Sequence, residues 1–132
     1  MKQLFASDRA LPQRPSLQVH FATVIERDLT LYKLHQPPQG VAALANWLYA
    51  DSVRCPSVRL KYEVYHKILK NTMDVPCASD LEDLWHLSCL PYIDLMSADR
   101  RMHGYVSQAA TGLSLNYGTR LVRTAQEVLC RL

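Results

Sequence analysis

Apolar residues recur at helical spacing through the first half of the chain and predict three helices. The stretch 16–34 also fits a strand by alternation, but its length and the charged triplet at 26–28 favour a helix. The segment 35–40, HQPPQG, ends that helix because two prolines and a glycine cannot continue it. A short apolar helix is predicted over 41–53, and Pro56 opens the third. The apolar positions of the third helix form one buried stripe: Val58, Tyr62, Tyr65 and Leu69.

The second half of the chain alternates between helical and strand-like patterns. Ser79 and Glu82 form a capping-box pattern, S-x-x-E, that predicts a helix from Asp80. Thr124 and Glu127 repeat the pattern near the end of the chain. The predicted order is helix 80–89, strand 91–98, helix 98–113, strand 118–123 and helix 125–132.

This alternation predicts an α/β fold with a small parallel sheet flanked by helices, because parallel strands need crossover helices. The chain of 132 residues has the length of one domain. Residues 1–16 are polar, contain two prolines and predict an irregular lead-in. The single domain is therefore predicted over 17–132.

Composition and charge exclude few classes of protein. The apolar fraction of 48% and charged fraction of 20% are typical of a globular protein. The net charge of +3 is compatible with a polyanionic partner and does not demand one. No apolar stretch has the length of a membrane span, and the first residues lack the apolar core of a signal peptide, so we expect a cytoplasmic protein without a membrane partner.

The cysteines are scattered along the chain without a C-x-x-C pair, at Cys55, Cys77, Cys89 and Cys130. In a cytoplasmic protein this favours reduced and mostly buried thiols. A structural zinc site at Cys77, His86 and Cys89 is the alternative, but the paired cysteine spacing of such sites is missing.

The segment 79–101, SDLEDLWHLSCLPYIDLMSADRR, contains Asp80, Asp83, Asp94 and Asp99. Asp80 and Asp83 are one helical turn apart on one face, and Asp99 stands where the strand ends and the next helix begins. Asp94 lies inside the apolar run, where a buried carboxylate is costly unless it is paired, hydrogen-bonded or metal-bound. Ligands of parallel α/β sheets bind beyond the carboxyl ends of the strands. The acids therefore either cap helices and face water, or converge on Mg²⁺ or Mn²⁺.

Two motifs in this segment resemble the second half of PIN-domain proteins. DLWHL at 83–87 is similar to their D-x-x-H-L helix, and DRRM at 99–102 is similar to the acid and basic residues that follow their next strand. LPYIDLMSAD at 90–99 resembles the strand of a PIN-like subset with an additional aspartate. The resemblance covers 79–132. The family's first strand and its acid are not found in 1–40, which implies a truncated or diverged N-terminal part, or a sheet completed by another chain.

The resemblance implies a metal-dependent ribonuclease of the toxin–antitoxin or RNA-processing type. In such an enzyme, Asp83, Asp94 and Asp99 would be the catalytic acids and would hold Mg²⁺ or Mn²⁺ together with Asp80. Arg100 and Arg101 would contact the RNA backbone. The implied partners are RNA, an antitoxin-like protein and a second copy of the chain.

Two other functions are compatible with the same residues. The chain can be a catalytically inactive or incomplete PIN-like protein whose acids cap helices and whose surface binds a protein partner. It can also be a mostly helical nucleic-acid-binding protein in which PYIDLM, 91–96, forms no strand. The nuclease hypothesis requires the carboxylates at 83, 94 and 99 to meet near a strand end, whereas the interaction module leaves them on different faces.

Overall fold

A computed structural model describes residues 16–73, 75–117 and 120–130 of the chain. Its helices are α1 Leu17–Leu31, α2 Val41–Ala50, α3 Pro56–Lys70, α4 Ala78–Leu87, α5 Arg100–Gly112 and α6 Ala125–Leu129. The strands are β1 Met96–Ser97 and β2 Leu121–Val122, and a 3₁₀ turn, Leu90–Tyr92, precedes β1. The predicted mixed α/β class with a small parallel sheet is confirmed, although the protein is mostly helical. The predicted lead-in, up to residue 15, lies outside the described residues.

Helix α3 lies at the centre of the packing and contacts α1, α4 and α5. The predicted stripe is buried at Tyr62, Tyr65 and Leu69, but the opposite side of the helix is buried as well. Its most enclosed residues have no exposed surface: Leu60, Val64 and Ile68. A helix surrounded by three others buries more than the single face that its periodicity indicates.

Helices α1 and α2 are joined by the predicted Pro-Pro-Gln-Gly break and pack on each other. Ser16 caps α1, because its hydroxyl accepts a hydrogen bond from the Val19 N–H at 3.4 Å. Phe21 and Val24 are buried, and the Phe21 ring lies beside those of Tyr49 on α2 and Tyr62 on α3. The helical interpretation of 16–34 is therefore confirmed over Leu17–Leu31.

The longest of the described helices are too short to cross a bilayer. Helices α1 and α3 contain 15 residues each. At a rise of about 1.5 Å per residue each is roughly 22 Å long, whereas a bilayer core is about 30 Å thick. No helix in the described part of the chain has the length and apolar character of a membrane span.

Strands β1 and β2 pair in parallel, with Met96 opposite Leu121 and Ser97 opposite Val122. Helix α5 connects them and packs its buried face on α3. That face matches the predicted one: Met102, Val106, Ala109 and Ala110. The sequence therefore predicted the strand–helix–strand unit and the parallel pairing.

The first strand is much shorter than the predicted 91–98. Pro91 lies in the 3₁₀ turn, where its fixed φ and missing N–H are well tolerated. The Pro91 carbonyl accepts a hydrogen bond from Arg120 Nη1 at 2.9 Å, which fixes this turn to the residue before β2. Regular pairing therefore begins only at Met96.

The cysteine thiols are free, and the expectation that most are buried is wrong. Cys77, Cys89 and Cys130 are exposed, and Cys55 is half-buried. The exposed ones follow or precede helix ends, where the chain runs over the surface.

Candidate functional site

Asp80 is the buried anchor of the acid cluster. Its residue is 1% exposed, and its Oδ2 accepts hydrogen bonds from the Cys77 N–H at 2.7 Å and from Arg101 Nη2 at 3.0 Å. Its Oδ1 accepts a further hydrogen bond from Arg101 Nη1. Arg101 thus forms a bidentate ion pair between α5 and the first turn of α4.

This anchor also sets where α4 begins. The structure forms a capping box between Cys77 and Asp80, so the helix starts at Ala78. The predicted box between Ser79 and Glu82 is therefore displaced by two residues. Burial opposes ionisation of Asp80, but the hydrogen bonds from Arg101 and Cys77 and the charge of Arg101 outweigh it and lower the pKa of the carboxyl.

Asp99 lies just past the carboxyl end of β1 and is the N-cap of α5. Its Oδ1 accepts a hydrogen bond from the Met102 N–H at 2.7 Å, which fixes one carboxylate oxygen and leaves the residue exposed. The carboxyl end of a parallel strand followed by a helix N-terminus is the usual position of ligands in α/β proteins.

Asp83 on α4 lies close enough to Asp99, at the start of α5, for the charges of the two carboxylates to interact. It lies one turn after Asp80 on the same face of α4, and the Asp80–Arg101 ion pair holds that face against the start of α5. Burial first, and then the charges of Asp99 and Asp80, raise the pKa of the half-buried Asp83 carboxyl. The two carboxylates therefore share one electrostatic environment at the end of β1.

Asp94 does not join this pair, and the expectation that it is buried in a strand is wrong. It is exposed in a bend before β1, while Ile93 and Leu95 on either side are half-buried. The predicted alternation of faces is present only in part: Tyr92 and Asp94 are exposed, whereas Met96, predicted on the same face, is half-buried and packs on the core. Asp94 precedes β1 and Asp99 follows it, and an extended chain of that length spans roughly 16 Å.

The basic residues divide into paired and exposed ones. Arg101 is committed to Asp80, whereas the neighbouring Arg100 is exposed. On α3, Glu63 Oε2 lies 3.5 Å from Arg59 Nη1, and its Oε1 lies 3.8 Å from Lys67 Nζ. Glu63 is therefore part of the helical ion pairs that its spacing predicts.

In residues 16–73, 75–117 and 120–130, no three His, Cys, Asp or Glu side chains are grouped so that they would hold a metal ion by themselves. Comparison of the chain with protein-family models, curated proteins and solved structures gave no match.

Sequence reasoning missed a second polar site between α1, α3 and α4. Trp85 is 53% exposed, and the Lys61 ammonium lies 4.5 Å from the centre of its ring. Arg27 and Asp28 line the same pocket. The sequence contains one signal for this site. Leu84 and Leu87 form the buried stripe of α4, and Trp85 does not lie on that stripe.

Asp83→Asn should raise the free energy of unfolding at pH 7 by up to about 1 kcal/mol, because it removes a carboxylate held near two others. A carboxyl with a raised folded-state pKa destabilises the fold when ionised, so the gain should shrink as the pH falls toward 4. Thermal unfolding midpoints at several pH values measure this. Glu82→Gln, one residue away and exposed, is the control and should change stability much less. A lower midpoint for Asp83→Asn at pH 7 would contradict the assigned environment.

Proposed function

We propose that this protein is a PIN-like, metal-dependent ribonuclease that hydrolyses RNA phosphodiesters at the carboxylate pair of Asp83 and Asp99. The observation that supports this most directly is the placement of the pair: an acid on α4 interacts electrostatically with another acid that follows the carboxyl end of a parallel β-strand. Their sequence motifs, D-x-x-H-L and D-R-R, are also those that resemble PIN-domain proteins.

Two carboxylates are sufficient protein ligands for Mg²⁺ or Mn²⁺ of this kind, because Mg²⁺ keeps several waters and often binds through only one or two acids. Asp83 and Asp99 would hold the ion, which when bound activates water and stabilises charge on the phosphate. Asp80 is less suited to ligation because both its oxygens already accept hydrogen bonds. Asp94 lies before the strand and not beyond it.

The remaining residues position the pair and meet the substrate. Arg101 holds Asp80 and thereby keeps α4 against α5, so it supports the site through structure. Met102 N–H orients the Asp99 carboxylate. Arg100, exposed one residue after Asp99, is placed to contact an RNA phosphate beside the acids. An antitoxin-like protein and a second copy of the chain stay predictions of the family resemblance.

Incubation of the purified chain with labelled single-stranded RNA tests the proposal. We expect cleavage with Mn²⁺ or Mg²⁺ and none with EDTA, together with a rise in the thermal midpoint on adding Mn²⁺ because the ion binds the folded state. Mn²⁺ should not raise the thermal midpoint of Asp83→Asn.

The competing function is a non-enzymatic interaction module, favoured by the structural duties of Asp80 and Asp99 at the starts of α4 and α5. Absence of both cleavage and a Mn²⁺-dependent shift in the wild-type chain would overturn the nuclease proposal and favour this module.

A further inference from the structure

Trp85 forms the exposed wall of a pocket on the side of α4 away from the acid pair. Asp83 and Trp85 are two positions apart on the helix, so their side chains point to nearly opposite sides. Tyr65 and Leu84 form buried parts of the pocket, whereas about half of the Trp85 surface is exposed. A large flat ring is thus held on a packed support and remains accessible.

The charges around this ring favour an anion. The Lys61 ammonium lies 4.5 Å from the Trp85 ring centre, and Arg27 lines the same pocket. Among the described residues that line the pocket, the carboxylate is Asp28, which accepts a hydrogen bond from the Tyr62 hydroxyl and lies 3.9 Å from Arg27 Nε. The described lining therefore contains two cations, Lys61 and Arg27, and one carboxylate.

We propose that the Trp85 pocket is a nucleotide subsite for single-stranded RNA, in which a base takes the place of the Lys61 ammonium on the Trp85 ring and the adjoining phosphate pairs with Lys61 and Arg27. Proteins that bind single strands combine aromatic platforms with nearby cations in this way. Neither the ring nor the cations alone would indicate RNA. Together they match a nucleotide, because the ring suits the base and the cations suit the phosphate.

The position of the pocket connects it to the acid pair. An α-helix with its side chains is about 10–12 Å across, so a strand a few nucleotides long reaches both sides of α4. The subsite would bind a nucleotide flanking the scissile phosphate, an assignment that rests on the proposed nuclease function. Binding itself needs no metal, which allows it to be measured separately.

Tryptophan fluorescence provides the test, because the chain has only Trp47 and Trp85. Trp47→Phe leaves Trp85 as the reporter, and an octauridylate is titrated in EDTA so that no cleavage occurs. We expect saturable quenching that weakens with added salt. In an anisotropy assay with labelled octauridylate, Trp85→Ala should raise Kd by roughly 5- to 150-fold, as loss of one stacked base predicts. Lys61→Met should raise it about tenfold.

Trp47 supplies a matched control, because it is also 53% exposed and has the Arg54 guanidinium 5.0 Å from its ring centre. Trp47→Ala should leave Kd within twofold, and Trp85→Phe should leave a Trp47 signal that the RNA hardly quenches. Equal quenching of both tryptophans, no saturable quenching, or binding of uridine monophosphate without binding of the octauridylate would overturn the subsite. Circular dichroism of each variant confirms that it is folded.

The two proposals can fail separately. Quenching of Trp85 in EDTA without metal-dependent cleavage supports the subsite and refutes the nuclease. Metal-dependent cleavage with unchanged Kd and unchanged rate in Trp85→Ala supports the nuclease and refutes the subsite.

Discussion

Arg101→Met should lower the free energy of unfolding at pH 7 by about 3–5 kcal/mol, because it leaves the buried Asp80 carboxylate without its cation. Among the described residues, Asp80 then keeps hydrogen bonds from Cys77 alone, and these neutral donors do not replace the charge of the guanidinium beside a residue that is 1% exposed. A loss of this size is a large part of the 5–15 kcal/mol that typical domains possess. Urea unfolding followed by circular dichroism measures it.

The pH dependence identifies the carboxylate as the cause. In the wild type the pKa of Asp80 is lowered, so the ion pair stabilises the fold above about pH 4 and loses this effect as the pH falls through the lowered value. Without Arg101 the buried Asp80 carboxylate should bind a proton more readily. The difference in the free energy of unfolding between the wild type and Arg101→Met should therefore narrow below about pH 4.

Arg100→Met removes a neighbouring arginine that is exposed, and it should cost less than about 0.5 kcal/mol. The Asp80–Arg101 pair would not stabilise the fold if Arg100→Met and Arg101→Met lowered the free energy of unfolding by similar amounts at pH 7. The same would follow if the difference in unfolding free energy between the wild type and Arg101→Met did not change with pH.

Asp99→Asn should reduce metal-dependent RNA cleavage at least 100-fold while leaving the fold intact. Asparagine is as good an N-cap as aspartate, so the hydrogen bond from the Met102 N–H is kept while the charge is lost. Cleavage rates at saturating Mn²⁺, with a thermal midpoint for each variant, separate an effect on catalysis from an effect on stability. Asp99→Ala should lose cleavage and also about 1 kcal/mol of stability, because the cap is removed.

Asp94→Asn is the matched substitution at the other end of β1, and we expect it to retain cleavage within about threefold of the wild type. Loss of cleavage in Asp94→Asn, with retention in Asp99→Asn, would contradict the assignment of the acid pair.

Local patterns in the sequence predicted most of the helices. The periodic positions of α5 are buried as expected, and those of α3 are buried except for the half-buried Val58, since the spacing of apolar residues along a helix indicates a buried face. The Thr124 cap is also present, because its hydroxyl accepts a hydrogen bond from the Glu127 N–H at 3.2 Å. The parallel pairing of β1 and β2 followed from their separation by a helix.

The burial of individual acids could not be predicted in the same way. The sequence indicated burial for Asp94, but the structure buries Asp80 and exposes Asp94. The burial of Asp80 depends on Arg101, which lies 21 positions away along the chain, and such a contact leaves no trace in local periodicity. The exposure of Asp94 follows from the turn at Pro91, which delays the strand and leaves only its last part paired.

The shortness of β1 has a consequence for the lifetime of the acid pair. The hydrogen bonds that hold this strand to the segment around β2 include one from the Met96 N–H to the Arg120 carbonyl at 2.8 Å and one from the Ala98 N–H to the Val122 carbonyl at 2.9 Å. Asp99 follows Ala98 directly, so a local opening event that breaks this ladder also releases the backbone that carries the carboxylate. Such openings need far less free energy than global unfolding. Hydrogen exchange at the Ala98 amide would therefore report how often Asp99 moves away from Asp83 while the helices stay folded.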